Sequence, residues 1–211
     1  MTSKQSFIQM TDVNKFIKGK CVLSDINVSF EKGKVYGVVG ANGSGKTMLL
    51  RAIAGLLHLT KGTVSYSGHR PSMGIIIENP GFLMNYTGYE NLAFLAEIRK
   101  VIGKDEIRNA LMTVGLNPND KSKVKTYSLG MKQKLAIAQA IMEEPEVLIL
   151  DEPFRGLDAE SMLRIRDLLK SYNARGGTIF LASHNYEDIS LLCDSVYQME
   201  AGRLSVKACE K

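Results

Sequence analysis

Two stretches of this chain carry residue types suited to phosphate chemistry. The first, residues 40–47, reads Gly-Ala-Asn-Gly-Ser-Gly-Lys-Thr, with two glycines separated by four residues and followed by Lys46 and Thr47. Backbone N–H groups in such a loop point inward as an anion nest, and a helix after it adds the positive end of its dipole. Lys46 is suited to reach the β- and γ-phosphates of a nucleotide, and the Thr47 hydroxyl to bind a bridging Mg²⁺.

The second stretch ends an apolar run in two acids. Residues 146–150 read Glu-Val-Leu-Ile-Leu and precede Asp151 and Glu152. A continuous apolar run is typical of a parallel strand buried on both faces, and open α/β sheets bind ligands at the carboxyl ends of such strands. Asp151 is therefore suited to hold Mg²⁺ through its water, and Glu152 to polarise the water that attacks the γ-phosphate.

A histidine follows the next apolar run. Thr178–Ala182 is again typical of a buried strand, and Ser183 and His184 stand at its carboxyl end. A lone histidine is more often structural, but His184 would lie beside the acids if its strand neighbours theirs. This placement favours a catalytic role for His184.

The first half of the chain supplies strands around the phosphate loop. The loop is preceded by a short β-branched run and followed by a predicted helix over 48–57. Residues 78–81, Glu-Asn-Pro-Gly, are expected to form a loop. Strands are predicted at 26–31, where apolar and polar residues alternate, and at 35–39, 62–67 and 73–77.

Residues 80–143 show helical patterns with no predicted strand between them. Thr87 and Glu90 have the reciprocal spacing of a capping box, so helices are expected over 88–101 and then 104–114. A third helix, after Ser128, has an apolar stripe of Met131, Leu135, Ala138 and Met142. We interpret this region as a helical lobe inserted between strands of a sheet.

The last third completes the predicted fold. Asp158 is suited to cap a helix over 159–172, and residues 196–199 and 204–206 to close the fold as a hairpin. The fold class is α/β, with a phosphate-loop core, a mostly parallel sheet, an N-terminal antiparallel β part and the helical lobe. All 211 residues are assigned to one domain, with 1–79 and 144–211 as core and 80–143 as lobe.

Composition limits the class of protein. With 45% hydrophobic and 23% charged residues, and no apolar run near membrane-spanning length, the chain is expected to be cytosolic. Cys21, Cys193 and Cys209 are scattered, which predicts neither disulfides nor a zinc site. The net charge of +5 suits nucleic acid or an anionic membrane as partner, but the basic residues are spread along the chain.

In combination, these motifs resemble the ATP-hydrolysing subunit of ABC transporters over nearly the whole chain. The Walker A loop corresponds to 40–47, the Walker B strand to 148–151 with Glu152 beside it, and the switch histidine to His184. The family's distinguishing signature matches Tyr-Ser-Leu-Gly-Met-Lys-Gln at 127–133, about twenty residues before Walker B.

The resemblance implies ATP and Mg²⁺ as cofactors and catalytic roles for Lys46, Glu152 and His184. On spacing alone, Phe16 is either a packing residue or a base-stacking one. The resemblance implies that it stacks on adenine. The implied nucleotide contacts are Phe16, Gly40, Asn42, Gly43, Ser44, Gly45, Lys46, Thr47, Met48, Ser128, Leu129, Gly130 and Asp158, and the implied metal ligands are Thr47, Glu78 and Asp151.

Two departures from the family pattern narrow the resemblance. Where the family has Leu-Ser-Gly-Gly-Gln, this chain keeps Ser128 and Gly130 but has Leu129 and Met131. Glu78 replaces the usual glutamine, which keeps an oxygen ligand but adds a negative charge. Both departures resemble a bacterial subgroup linked to export of, and self-protection against, peptide antibiotics such as bacitracin and lantibiotics.

The resemblance also implies two partners. One is a second copy in a head-to-tail dimer, where Ser128 and Gly130 of one subunit clamp the γ-phosphate held by Lys46 of the other, and residues 156–158 connect the subunits. The other is a separate integral membrane permease, docked near residues 78–89, that exports a peptide antibiotic or similar amphipathic substrate. The chain would then be peripheral on the cytoplasmic face of the cell membrane, with no nucleic acid partner.

An alternative is a soluble ABC-type ATPase that acts on nucleic acid or ribosomes, for which the net charge of +5 is the only support. Such relatives usually carry two ATPase domains or long coiled coils, and neither is found in this sequence. A kinase or GTPase would lack the signature at 127–133.

Overall fold

The computed structural model describes residues 6–78 and 81–207. The strands of this part of the chain are β1 (Ile8–Ile17), β2 (Lys20–Phe30), β3 (Val35–Val39), β4 (Lys61–Tyr66), β5 (Met73–Ile76), β6 (Val147–Asp151), β7 (Thr178–Ala182), β8 (Ser195–Glu200) and β9 (Arg203–Lys207). The α-helices are α1 (Lys46–Ile53), α2 (Gly88–Arg99), α3 (Lys104–Thr113), α4 (Leu129–Ile141), α5 (Ala159–Ala174) and α6 (Tyr186–Leu192).

A six-stranded sheet forms the centre of the fold, in the order β5-β6-β7-β3-β8-β9. Its strand pairs are parallel except for the β8–β9 hairpin. Successive residues of the buried strands face opposite sides, so Leu148 and Leu150 join one apolar cluster and Val147 and Ile149 join another. The sheet is therefore covered on both faces, as its continuous apolar runs predict.

A smaller antiparallel sheet, in the order β2-β1-β4, covers one face of the phosphate-loop region. Its β1–β2 turn places Lys18 and Gly19 at φ of 48° and 79°, the left-handed values that a tight hairpin turn requires. Together the two sheets confirm the predicted α/β class with a mostly parallel sheet and an N-terminal antiparallel part.

The helices α2, α3 and α4 follow one another, with a 3₁₀ turn at Val124–Thr126 before α4. Thr87 and Glu90 form the predicted capping box, since each side chain accepts a hydrogen bond from the other's backbone N–H. Buried residues such as Leu92, Leu111 and Leu135 pack the three helices into the cluster on one face of the central sheet.

Several boundaries differ from the sequence predictions. Helix α1 begins at Lys46 and not at Met48, and it ends at Ile53 and not at Leu57, because Gly55 turns the chain with a φ of 66°. Helix α6 was not predicted, although Asn185 caps it by accepting a hydrogen bond from the Glu187 N–H. Asn79 and Pro80, half of the predicted loop after β5, lie outside the described residues.

Candidate active site

The loop between β3 and α1 has a backbone path that needs glycine at two positions. Gly40 and Gly45 have φ of 153° and 114°. A Cβ at Gly40 would lie 2.3 Å from the Met199 carbonyl oxygen, and one at Gly45 would lie 2.8 Å from that of Val22. These contacts explain the glycine spacing of the motif, because any side chain there would push the loop away from β8 and β2.

Polar groups inside this loop face one another across a small space. The Lys46 side chain is buried, and its Nζ donates to the carbonyl oxygens of Gly40 at 2.7 Å and Ala41 at 3.2 Å. The Ser44 Oγ is buried with no hydrogen-bond partner in the described residues. Gly45 caps α1 without a side-chain hydrogen bond. An uncapped helix N-terminus, an unpaired hydroxyl and an ammonium group make a receptor for an anion.

Thr47 and Asp151 place two oxygen ligands side by side. The Thr47 Oγ1 donates to the Asp151 Oδ2 at 2.6 Å. Burial raises the pKa of the Asp151 carboxyl, the Thr47 hydrogen bond opposes this shift, and the Glu152 charge adds to it. Hard oxygen ligands of this kind suit Mg²⁺. No group of three or more His, Cys, Asp and Glu side chains suited to a metal occurs among the described residues.

The parallel pairing of β6 and β7 brings Glu152 and His184 together. Asp151 pairs with Ala182, so the residues that follow each strand are neighbours. The Glu152 Oε1 accepts from the His184 backbone N–H at 3.1 Å, and the Oε2 lies 2.8 Å from the His184 Nδ1. The condition set by the sequence, that the histidine's strand should adjoin the acids' strand, is therefore met.

Glu78 has a partner that sequence reasoning did not identify. Its Oε1 lies 2.9 Å from the Arg51 Nη2. Arg51 stands four residues after Thr47 on α1, and this spacing places both on one face of the helix. The spacing alone gave no reason to connect Arg51 with residue 78.

A cavity of about 500 Å³ joins Lys46, Thr47, Glu78, Asp151 and Glu152. Its lining contains nine predicted site residues, namely Asn42, Gly43, Gly45, Lys46, Thr47, Met48, Glu78, Asp151 and Glu152. It also contains four that were not predicted, namely Ile17, Val22, Gln133 and Arg155. Of these, Gln133 connects α4 to the loop after the acids, since its Nε2 donates to the Pro153 carbonyl oxygen at 3.0 Å.

Phe16 is not among the described residues that line this cavity, although its neighbour Ile17 is. In the β1–β2 ribbon, Phe16 pairs with Cys21 and Ile17 pairs with Lys20. Successive residues of a strand point to opposite sides, so Phe16 and Ile17 do as well, and Val22 lies at a register shift between the Leu23 and Cys21 pairs. Ile17 and Val22 line the cavity beside the phosphate loop, and the adenine-stacking role of Phe16 stays a prediction.

Within the signature, Ser128, Leu129 and Gly130 lie at the start of α4 and do not line the cavity, whereas Gln133, one turn further along the helix, does. Ser128 is exposed and caps α4, with its Oγ accepting from the Met131 N–H at 3.2 Å. Leu129 is 52% exposed. A Cβ at Gly130 would lie 2.6 Å from the Gly156 carbonyl oxygen, so α4 packs closely on the loop before α5.

Asp158 ends that loop and caps α5. Its Oδ1 accepts from the Ser161 N–H at 2.7 Å, and this hydrogen bond lowers the pKa of the Asp158 carboxyl. Ser128, Leu129, Gly130 and Asp158 are thus close to one another and apart from the Lys46 cavity of the same chain.

A model of the ABC transporter family matches residues 23–155. The chain belongs to the ABC transporter family. It is an ABC ATPase, and members of this family bind ATP and act as the ATP-binding subunits of transporters. In the described residues, no helix has both the length and the apolar character needed to span a bilayer.

Related proteins cover most of this ABC chain. It is 42% identical over 205 residues to the uncharacterized ABC transporter ATP-binding protein YybJ of Bacillus subtilis, covering 93% of this chain and 94% of YybJ. It is 41% identical to the bacitracin transport ATP-binding protein BcrA of Enterococcus faecalis, covering 93% and 67% of the two chains. It is 32% identical to the lantibiotic transport ATP-binding protein SrtF of Streptococcus pyogenes, covering 93% and 88%. The predicted resemblance to bacitracin and lantibiotic proteins is confirmed.

The fold matches a solved ABC cassette. The dimeric structure of MJ0796, a bacterial ABC transporter cassette, superposes with a TM-score of 0.87 and 22% identity, over 97% of this chain and 99% of that one. This likeness confirms the predicted fold class.

Proposed function

We propose that this chain hydrolyses ATP to power a separate membrane permease that exports a peptide antibiotic or a similar amphipathic substrate. The observation that carries the ATPase proposal is the single cavity lined by Lys46, Thr47, Asp151 and Glu152. The transport names of BcrA and SrtF support the substrate class. The whole chain would act as one ATPase domain, with residues 80–143 as its helical lobe.

Phosphate binding uses groups that the loop already presents. The triphosphate occupies the nest between Gly40 and Thr47, where it accepts hydrogen bonds from the loop N–H groups and from Ser44. Lys46 exchanges its two carbonyl partners for β- and γ-phosphate oxygens. A charged acceptor binds an ammonium group more strongly than a carbonyl does, so the exchange favours the bound state.

In this proposal Thr47 and Asp151 would hold Mg²⁺, and the Glu78 carboxylate at the cavity wall would offer a further oxygen. The ion supplies charge neutralisation and orientation to the phosphates. Its positive charge also offsets the burial that raises the pKa of Asp151.

Glu152 acts as the general base. Its carboxylate accepts a proton from a water molecule as the water oxygen attacks the γ-phosphorus, and the bond to the leaving ADP oxygen breaks. His184 positions that carboxylate through the contacts of its backbone N–H and its Nδ1. The imidazole is 75% exposed, so it remains available to a group that approaches from outside the chain.

A second copy supplies the other side of the nucleotide. Ser128, Leu129 and Gly130 lie at the N-terminus of α4, and the first two are exposed. Their separation from the Lys46 cavity of the same chain supports a head-to-tail dimer, in which they contact the γ-phosphate of the partner. Asp158, in the adjoining loop, would couple the nucleotide site of one subunit to that of the other.

The permease would dock on the helical lobe. Tyr86, two residues before α2, and Phe94, in the middle of α2, are exposed and pack edge to face with ring centroids 5.0 Å apart. Ile98, one turn beyond Phe94, is 76% exposed. Adjacent exposed apolar side chains of this kind mark an interaction surface. Docking there would hold the chain at the cytoplasmic face of the membrane.

The Glu152→Gln variant tests the hydrolysis proposal. An amide cannot accept the proton from water, so we expect turnover to fall by about 100-fold or more, while ATP affinity is retained and ATP-dependent dimers accumulate. Phosphate release and size-exclusion chromatography with ATP and Mg²⁺ measure these outcomes. Glu97→Gln, at an exposed position on α2, is the matched control and should leave both unchanged. Unchanged hydrolysis in Glu152→Gln would exclude Glu152 as the base.

A further inference from the structure

An ion pair at the wall of the nucleotide cavity has no part in the roles described above. Arg51, in the last turn of α1, lies 2.9 Å from the Glu78 carboxylate, measured from Nη2 to Oε1. Glu78 follows β5 with a φ of 63°, which is uncommon for a residue other than glycine. Its carboxylate lines the same cavity as Thr47 and Asp151.

Helix α1 provides a partner for each of two carboxylates. Thr47 and Arg51 are four residues apart and share a helix face. Thr47 donates to Asp151, and Arg51 pairs with Glu78. One face of α1 therefore contacts both carboxylates, and the contact to Asp151 is the stronger of the two. The Thr47 bond is short and partly buried, whereas the Glu78 side chain is 62% exposed, and exposed ion pairs are weak.

Acidic side chains outnumber basic ones in the cavity lining before any phosphate enters. Glu78, Asp151 and Glu152 stand against the two cations Lys46 and Arg155. The charge of Glu78 also adds to the causes that raise the pKa of Asp151. A nucleotide without metal would bring further negative charge beside Glu78. Arg51 offsets this repulsion only while it remains paired.

We propose that Arg51 is a positioning residue for Glu78: it neutralises the carboxylate and holds it off the metal position, and Glu78 exchanges Arg51 for Mg²⁺ when the metal–nucleotide complex binds. The pair makes nucleotide affinity depend on the metal to a degree that Arg51 sets. This inference rests on the proposed function, because it requires that the cavity binds ATP with Mg²⁺.

The test is a double-mutant cycle on nucleotide affinity. Isothermal titration with the non-hydrolysable analogue AMP-PNP gives the Kd in EDTA and the Kd with Mg²⁺. The ratio of the first to the second measures how strongly nucleotide affinity depends on the metal. In Arg51→Gln, an unpaired Glu78 repels the bare phosphates and is free to bind the metal, so we expect the ratio to rise by about tenfold. In the Glu78→Gln background, Arg51→Gln should change the ratio by less than about threefold.

Two matched variants separate this coupling from a general effect of charge. Arg155→Gln removes a positive charge from the cavity lining itself, and its effect on the ratio should be equal with Glu78 and with Gln at position 78. Arg51→Lys keeps a cation in reach of the carboxylate and should return the ratio to within about threefold of the parent. Circular dichroism of each variant checks that the fold is retained.

The two possible failures differ. If Arg51→Gln changes the ratio equally in both backgrounds, the pair does not control the metal dependence and the inference is overturned. If the parent protein binds no AMP-PNP with Mg²⁺, the proposed function fails and the inference fails with it.

Discussion

The N-termini of α1 and α4 both present backbone N–H groups next to a serine, but they are built differently. At α1, the Gly45 cap makes no side-chain hydrogen bond, the adjacent Ser44 hydroxyl is buried without a partner in the described residues, and Lys46 is enclosed. At α4, Ser128 is exposed and its oxygen already accepts from the Met131 N–H.

This difference indicates that the N-terminus of α1 can bind a phosphate by itself, whereas the N-terminus of α4 forms only part of a binding site. The α1 end has unsatisfied polar groups that face inward, and such groups are costly unless a ligand pairs with them. The α4 end is satisfied in isolation, but the Ser128 hydroxyl still has a proton to donate outward. The first end should therefore bind phosphate in a single chain, and the second should act only across a contact with another molecule.

The largest effect on ATP affinity is expected at the N-terminus of α1. Lys46→Ala removes a charge-assisted contact to the phosphates, which is worth about 2–3 kcal/mol, so we expect the Kd for ATP to rise by about 30- to 160-fold. Fluorescence titration of the monomer measures it. Lys104→Ala, at an exposed position on α3, makes the same charge change and should leave the Kd within about twofold. Equal Kd values for parent and Lys46→Ala would show that this end is no phosphate receptor.

A smaller and different effect is expected at the other end. Ser128→Ala loses the α4 cap, at a cost of about 1 kcal/mol of unfolding free energy, but monomer affinity for ATP should stay within about twofold. Turnover should fall by about tenfold or more, because the hydroxyl is absent from the shared site. Ser128→Thr keeps both the cap and the hydroxyl and should retain most activity. A Kd loss in monomeric Ser128→Ala as large as that of Lys46→Ala would mean that the two ends serve one chain's site.

The residues around the N-terminus of α1 could be predicted from the sequence because the patterns that identify them are local. A glycine spacing, a lysine and a strand that ends in acids each follow from backbone geometry within a few residues, and the structure places Lys46, Thr47, Asp151 and Glu152 around one cavity. His184 was more distant along the chain. Its place beside Glu152 depended on the β6–β7 pairing, which was stated as a condition and is met.

What the sequence did not predict depends on register and on contacts between distant segments. The family resemblance implied Phe16 as the adenine-stacking residue, and that role stays a prediction, but no pattern in the sequence pointed to Ile17 and Val22, which line the cavity. Arg51 pairs with Glu78 because α1 lies beside the end of β5, and no local sequence pattern predicts this contact. Helix α6 was missed because its seven residues are too few to show a helical period.

The smallest effect on ATP affinity is expected at the apolar side of the cavity, where Ile17 and Phe16 can be compared. Ile17 and Val22 give it an apolar wall, and truncation of Ile17 to alanine removes roughly 40–50 Å² of apolar contact, worth about 1 kcal/mol. Ile17→Ala should therefore raise the Kd for ATP about fivefold, and Phe16→Ala should raise it only if the aromatic ring also contacts the base. Inorganic tripolyphosphate, which has no base, should bind both variants and the parent alike. If Phe16→Ala weakens ATP binding and Ile17→Ala does not, the aromatic side chain reaches the base and the wall formed by Ile17 and Val22 does not hold it.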